Sequence, residues 1–453
     1  MLTGVILCFI IGYVTIVFEH PLRLDKSVPA LLMGSLCWAL VSLGHMDVVD
    51  HHGHVGHGAN YYEDNLLPVL LHHMGKTAEI LIFLIGAMTI VELIDLHRGF
   101  SVITNRIQTR NKKKMLWIIS VLAFFLSATL DNLASTIVLV SLLRRLIPNK
   151  EERIWFVCLA VIGANAGGAW SPIGDVTTTM LWIGNKVSTA GLIERLVIPS
   201  IVCIVIPVVI ASFTKPFQGE IAPAKRDFDA KREQEKLLSS RTMLMVGLGA
   251  LIFVPIFKTI THLPPYIGMM LSLGVVWLVS EYIHPEEDFT EEKKHLYSAH
   301  NALSRIELSS IIFFLGILMA VAALESIAVM GASGEQVGFL RSLAEQLQEA
   351  IPNQDIVIII LGFLSAIIDN VPLVAASMGM YSFETDNHLW HFIAYSAGTG
   401  GSMLIIGSAA GVAAMGMERI DFIWYLRKIS WLAFIGFIAG AIVFILMNPL
   451  FAG

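Results

Sequence analysis

Ser127-Ala128-Thr129-Leu130-Asp131-Asn132 sits in the middle of an apolar stretch, about 115–145, that is basic at both ends. Arg98, Arg106, Arg110, Lys112, Lys113 and Lys114 precede it, and Arg144, Arg145, Lys150 and Arg153 follow. Basic loops stay on the cytoplasmic side of a membrane. Two ordinary crossings need roughly 40 residues, more than this stretch holds. The reading is a re-entrant hairpin that enters and returns on one side, with a polar tip at membrane depth. Non-helical backbone at that depth is tolerated only where it is buried in protein or lines a cavity.

The same pattern, Ser-Ala-x-x-Asp-Asn, returns as Ser365-Ala366-Ile367-Ile368-Asp369-Asn370 at the centre of a second hairpin, about 355–381. Each hairpin is followed by a glycine-broken segment. The first runs Asn165-Ala166-Gly167-Gly168-Ala169-Trp170-Ser171-Pro172-Ile173-Gly174-Asp175 and the second Gly398-Thr399-Gly400-Gly401-Ser402-Met403-Leu404-Ile405-Ile406-Gly407-Ser408. They match at Gly-Gly-x-x-x-x-Ile-Gly, and neither composition holds a regular helix. A weaker match pairs Phe83-Leu84-Ile85-Gly86 with Phe313-Phe314-Leu315-Gly316. Three matches in one order, offset by about 230–240 residues, mark an internal repeat.

Outward from these motifs the chain reads as spans near 2–18, 28–44, 78–95, a broken one from about 154, and 194–213, then 242–258, 266–283, 309–327, a second broken one around 398–408, and 429–448. The halves are 1–214 and 242–453, joined by a hydrophilic cytoplasmic linker, 215–241, that carries Lys215, Lys225, Arg226, Lys231, Arg232, Lys236 and Arg241. Five spans per half is an odd number, so the halves face opposite ways. The turn with Arg23 and Lys26 falls on the cytoplasmic side, and both termini fall outside. The start Met1-Leu2-Thr3-Gly4 lacks a basic n-region and reads as part of a retained first span.

Composition agrees. Of 453 residues 55% are apolar and only 15% charged, against about a quarter charged in soluble domains. Lipid is the main solvent. Cys8, Cys37, Cys158 and Cys203 lie inside apolar runs without a CxxC pair and read as small packing residues. The outer loop holds His45, His51, His52, His54 and His57, with His72 and His73 beyond it. It reads as a solvated loop of biased composition rather than a metal site or pH sensor. No phosphate-cradling loop or nucleotide fingerprint occurs, which argues against ATP-driven transport and against nucleic acid or nucleotide as partner. Without an activated nucleophile or a membrane-depth His/Glu metal set, the chain does not read as an enzyme, and no cofactor is expected.

Asp131, Asp175, Asp369 and Glu92 stand at lipid depth, and no Lys or Arg shares their apolar segments. A central charged carboxylate costs about 2.5–3.5 kcal/mol on insertion scales. Binding a proton or coordinating a cation each lowers that cost, so a site alternating between the two is a cation/proton exchanger. Oxygen ligands suit Na⁺. The tips offer Asp131, Asn132, Asp369 and Asn370. The broken segments add Asn165, Asp175, Thr177, Thr178, Ser402 and Ser408. Helix capping is the plainer role for a lone Asp-Asn pair, but two such pairs at matching positions of the repeats favour cation binding. Asp175 reads as the N-cap of the helix after Gly174, a job compatible with binding, and Glu92 stands close enough to the cytoplasmic end of its span to reach water.

At Ser-Ala-Thr-Leu-Asp-Asn and Asn-Ala-Gly-Gly-Ala-Trp-Ser-Pro-Ile-Gly-Asp-Val-Thr-Thr-Thr the chain resembles the NhaD-type sodium/proton antiporters of the ion transporter superfamily. That superfamily also includes dicarboxylate and arsenite carriers. The resemblance implies a dimerising scaffold domain and a transport domain that holds both hairpins and moves like an elevator. It also implies importance for Asp131, Asn132, Asn165, Asp175, Thr177, Thr178, Ser365, Asp369 and Asn370. Dicarboxylate carriers have Ser-Asn-Thr at their tips; an aspartate at each tip instead repels a dicarboxylate and attracts Na⁺ or Li⁺.

The expectation is thus an all-α polytopic membrane protein with two inverted repeats, each with five spans, one re-entrant hairpin and a discontinuous helix. It sits as a homodimer among the lipids of a bacterial inner membrane and exchanges Na⁺ or Li⁺ for H⁺. The alternative is Na⁺-coupled symport of a small organic anion or oxyanion.

Overall fold

A computed structural model describes residues 1–18, 22, 24–50, 55, 60–104, 106, 107, 109–221, 239–283, 299–331 and 334–451. Arg23, the histidines at 51, 52, 54 and 57, and most of the linker lie outside the described residues. The first half contains α1 (Leu2–Val17), α2 (Ser27–Leu43), α3 (Leu67–Leu96), α4 (Lys112–Ser127), α5 (Asn132–Leu146), α6 (Lys150–Gly168), α7 (Val176–Ile183) and α8 (Thr189–Ser212). The second contains α9 (Ser239–Thr261), α10 (Pro265–Tyr282), α11 (Leu308–Ser326), α12 (Phe339–Ala350), α13 (Gln354–Ser365), α14 (Asn370–Met380), α15 (His388–Gly400), α16 (Ala409–Glu418), α17 (Phe422–Lys428) and α18 (Ser430–Met447). Among the described residues, five helical stretches are long and apolar enough to cross a membrane alone: Tyr61–Leu96, Thr189–Ser212, Ser239–Thr261, Leu308–Ser326 and Ser430–Phe451. Shorter apolar helices, α1, α2 and α14 among them, stand beside these.

The expected breaks fall where the polar tips are. α4 ends at Ser127 and α5 starts at Asn132; α13 ends at Ser365 and α14 starts at Asn370. Two details differ from the sequence reading. The first broken segment stays helical through Asn165 to Gly168, so the unwound part is only Ala169–Asp175. The chain is also not purely helical. A two-stranded antiparallel hairpin, β1 (Ala328–Met330) and β2 (Gln336–Gly338), precedes the amphipathic α12, whose Leu340 and Ala344 are buried while Arg341 and Glu345 pair outside. That region reads as a plain polar loop in the sequence because its strands are only three residues each.

Packing cuts across the halves. α2 packs on α11 and α3 on α10; α1 lies on α2 and α9 on α10. These six form one group. In the other, α4 packs on α6 and α13 on α15, with α8 crossing α18. Each pairing has its counterpart in the other half. Glycines permit the closest crossings. A Cβ at Gly316 would strike the Ala30 backbone, and one at Gly34 would lie 2.6 Å from the Gly316 carbonyl. Gly174 sits on the Ser127 carbonyl, where a Cβ would meet it at 2.7 Å, and Gly407 sits likewise on the Ser365 carbonyl at 2.7 Å. This explains the repeated Gly-Gly-x-x-x-x-Ile-Gly: its last glycine lets each broken helix touch its own hairpin tip.

Candidate functional site

Four helix breaks converge. Asp131 caps α5 by accepting from Ala134 N at 2.6 Å, and Asp369 caps α14 by accepting from Val371 N at 3.4 Å. Asp175 caps α7 through Thr177 N at 3.2 Å, and Ser408 caps α16 through Gly411 N at 3.1 Å. Capping therefore accounts for the local position of all four side chains. It also places three carboxylates at positive helix ends, opposite the carbonyl ends of α4, α6 and α13, and the Ser408 hydroxyl opposite that of α15. A negative helix end favours a cation there.

Two hydrogen-bond chains tie the breaks together. Asn132 Nδ2 donates to Asn165 Oδ1 at 3.1 Å. Asn165 Nδ2 in turn donates to Ser402 Oγ at 2.8 Å and Ser408 Oγ at 2.9 Å. The first tip thus reaches the second broken helix. Conversely, Asn370 Nδ2 donates to Asp175 Oδ2 at 3.1 Å, carrying the second tip to the first broken helix. Tyr425 on α17 donates to the Ser402 carbonyl at 2.7 Å. Thr178 Oγ1 donates to the Asp175 carbonyl at 2.9 Å, and Ser365 Oγ to the Ala397 carbonyl at 2.7 Å. Asn132, Asn165, Asp175, Thr177, Thr178, Ser365, Asn370, Ser402 and Ser408 are all buried.

Asp131 and Asp369 are half-buried and see different surroundings. Asp131 lines a cavity of about 540 Å³ with Glu92, Asp95, Glu307 and the arginines Arg98, Arg145 and Arg305. Its backbone φ is 146°, a region almost restricted to glycine that costs about 1–3 kcal/mol elsewhere. Asp369 borders a space of only about 50 Å³ with Tyr13, Lys26 and Ser408. The sequence reading gave this carboxylate no basic partner, and the structure corrects that. Lys26 Nζ lies 3.2 Å from Asp369 Oδ2, reaching in from the turn between α1 and α2. No pattern within the hairpin could reveal it, because the partner is more than 300 residues away in sequence.

Ser127 was also missed as a site residue, although it holds the place of Ser365 in the repeated motif. It is fully buried, and its Oγ has no hydrogen-bond partner among the described residues. Glu92 joins the cavity wall rather than the hydrogen-bonded cluster. In the turn after α2, His45 packs edge-on against Tyr61, and on α3 His73 Nε2 lies 3.0 Å from Ser326 Oγ. Among the described residues, no three His, Cys, Asp or Glu side chains gather as a metal site.

Helices of this length and apolarity around a buried polar core define a polytopic membrane transporter. A family model described as "Citrate transporter" matches residues 13–391. "Sodium/proton antiporter 1" of Arabidopsis thaliana is 45% identical over 98% of this chain and 72% of its own length. "Sodium/proton antiporter 2" of the same plant is 44% identical over 98% of this chain and 99% of its own length. "Na(+)/H(+) antiporter NhaD" of Alkalimonas amylolytica is 29% identical over 97% of this chain and 89% of its own. The chain belongs to the citrate-transporter family and, within that likeness, to the NhaD-type sodium/proton antiporters.

Proposed function

We propose that this chain exchanges Na⁺ or Li⁺ for H⁺ across a membrane, with cation and proton competing for Asp131 and Asp369 and Asp175 supporting them. The observation that carries the reading is Asp131. It stands at a hairpin tip on the wall of a 540 Å³ cavity, between a carbonyl helix end and an amide helix end. A carboxylate so placed is stabilised by a small cation or by a proton, and each excludes the other. Oxygen ligands of this kind suit a hard cation. Names of the relatives support the same cargo.

The two halves are read as inverted repeats. α1, α2, α3, α9, α10 and α11 form the scaffold through which the protein dimerises. The hairpins, broken helices, α8 and α18 form the transport body that moves as an elevator. The matched packing of the two halves supports this division. The host is taken to be a bacterial inner membrane, with both termini outside and lipid around the scaffold; cell fractionation tests this against a plant membrane.

Dye dequenching in everted vesicles from an antiporter-deficient host tests the exchange. NaCl and LiCl should collapse the proton gradient while choline chloride does not. A second reading, Na⁺-coupled symport of a small organic anion, draws on the arginines of the cavity wall and on the description of the family model. Under that reading, dequenching by Na⁺ is absent and Na⁺ accelerates uptake of labelled citrate.

A further inference from the structure

The turn between α1 and α2 is fixed to the six-helix group. Asp25 accepts from Ser27 N at 2.9 Å and from Ser309 Oγ, at the start of α11, at 2.8 Å. Lys26, next in the chain, runs over the face of Phe313 on α11, with Nζ 4.5 Å from the ring centroid. Its ammonium then reaches Asp369 Oδ2 at 3.2 Å, on the tip of the second hairpin. The ion pair therefore joins one packed group to the other, and its carboxylate is one of the two we assign to the transported cation. Only about 50 Å³ of space adjoins it, shared with Tyr13 and Ser408. Asp131, at the equivalent place on the first tip, opens instead onto the large cavity.

We propose that Lys26 is a tethered competitor of the transported cation: its ammonium occupies Asp369 in the cation-free protein and must leave for Na⁺ to bind there. One carboxylate oxygen cannot be the close ligand of two cations at once, since like charges side by side in a half-buried site repel. Lys26 is thus a specificity and coupling residue, held to the scaffold by Asp25 and Phe313. Any movement of the hairpin past α11 requires the pair to part. This inference rests on the cation-exchange reading of the site.

The test compares full-length wild type with Lys26→Met, Lys26→Arg and Asp369→Asn, and with the Lys26→Met/Asp369→Asn pair, in everted vesicles. Lys26→Met keeps most of the length of the side chain and removes its charge, and should lower the apparent KM for Na⁺ by about three- to tenfold. Lys26→Arg, which keeps a cation, should leave KM at or above the wild-type value. In the Asp369→Asn background the Lys26→Met effect should vanish. An unchanged or raised KM in Lys26→Met, or the same shift with and without Asp369, overturns the inference. Should folded Lys26→Met not transport at all, Na⁺-dependent thermal stabilisation in detergent decides. A midpoint at lower Na⁺ upholds the competition, and an unchanged one overturns it. Absence of any Na⁺ response in wild-type vesicles sinks the exchange reading itself, a different outcome from a wild-type response with an indifferent Lys26→Met.

Discussion

The two hairpin tips carry the same six-residue pattern and have become different sites. Around Asp131, α5 stands across a 540 Å³ cavity from α3, and Glu92 and Asp95 line that cavity too. In the second hairpin, α14 packs directly on α11, and toward its far end Gly379 is so close that a Cβ there would touch the Glu325 carboxylate at 3.0–3.1 Å. Asp95 and Glu325 occupy like positions on like helices, one exposed in the cavity and the other half-buried. The backbone differs too: φ is 146° at Asp131 and −47° at Asp369. Sequence symmetry supplied two candidate cation sites. The packing leaves one open and fills the other with a lysine.

The largest effect should separate the two aspartates. Asp131→Asn removes the only tip carboxylate facing the cavity, and should lower Na⁺-dependent exchange by about 30–150-fold, as expected for losing a charged partner worth about 2–3 kcal/mol. Asp369→Asn removes a carboxylate already compensated by Lys26, and should cost about tenfold or less. Initial rates of dye dequenching, normalised to protein in the vesicles, measure both. Equal losses would erase the distinction between the tips; a larger loss at Asp369 would reverse it.

A smaller effect concerns the broken helices. Asn165 bridges Asn132 to Ser402 and Ser408, but its counterpart in the second half is Gly398. A Cβ at Gly398 would lie 3.4 Å from Asp175 Oδ2, so a side chain there would crowd the carboxylate that Asn370 holds. Asn165→Ala strands buried polar groups and should destabilise the protein by about 1–3 kcal/mol, read as a lowered Tm in detergent. Gly398→Asn restores sequence symmetry but overpacks the site. Its exchange rate should fall by about tenfold, within the range for overpacking. Normal exchange in Gly398→Asn would mean that the inequality of the halves is incidental.

Much of this was legible in the sequence for a definite reason. The helix breaks at Ser127–Asn132, Ala169–Asp175 and Ser365–Asn370 are backbone events, and glycine, proline and Asp-Asn caps act locally. The cluster of Asn132, Asn165, Asp175, Asn370, Ser402 and Ser408 was foreseeable because symmetry-related breaks in a bundle meet at its centre. What the sequence hid depends on distant pairing. Lys26 sits in a turn whose partner lies at the far end of the chain. Asn165 looks like part of the break, yet its helix continues to Gly168, because close packing on α4 rewards glycine there: a Cβ at Gly167 would collide with the Phe124 carbonyl. The short strands before α12 carry too few residues to show alternation.

The smallest expected effect lies where the two hairpins rejoin their broken helices. After the first hairpin, Arg144 and Arg153 both bind the buried Glu418 at the end of α16, Arg153 at 2.8 Å. After the second, the link to the end of α7 is mostly neutral. Asp386 accepts from Ser188 N at 2.7 Å, its own N–H binds the Lys186 carbonyl at 2.9 Å, and Thr385 donates to the Asn185 carbonyl at 2.7 Å. Burial alone would raise the Asp386 carboxyl; the His391 ring and the Ser188 N–H and hydroxyl outweigh it and hold it well below the usual range. A depressed carboxyl stabilises the fold above its unfolded pKa, near 3.9, and that contribution is lost as pH falls through the lower, folded value. Asp386→Asn should therefore lower Tm slightly and by a constant amount from pH 6 to 8, on the order of 1 kcal/mol for a lost charged hydrogen bond, and the gap to wild type should close only in strong acid. A gap that changes between pH 6 and 8 would place the titration on another group at this joint.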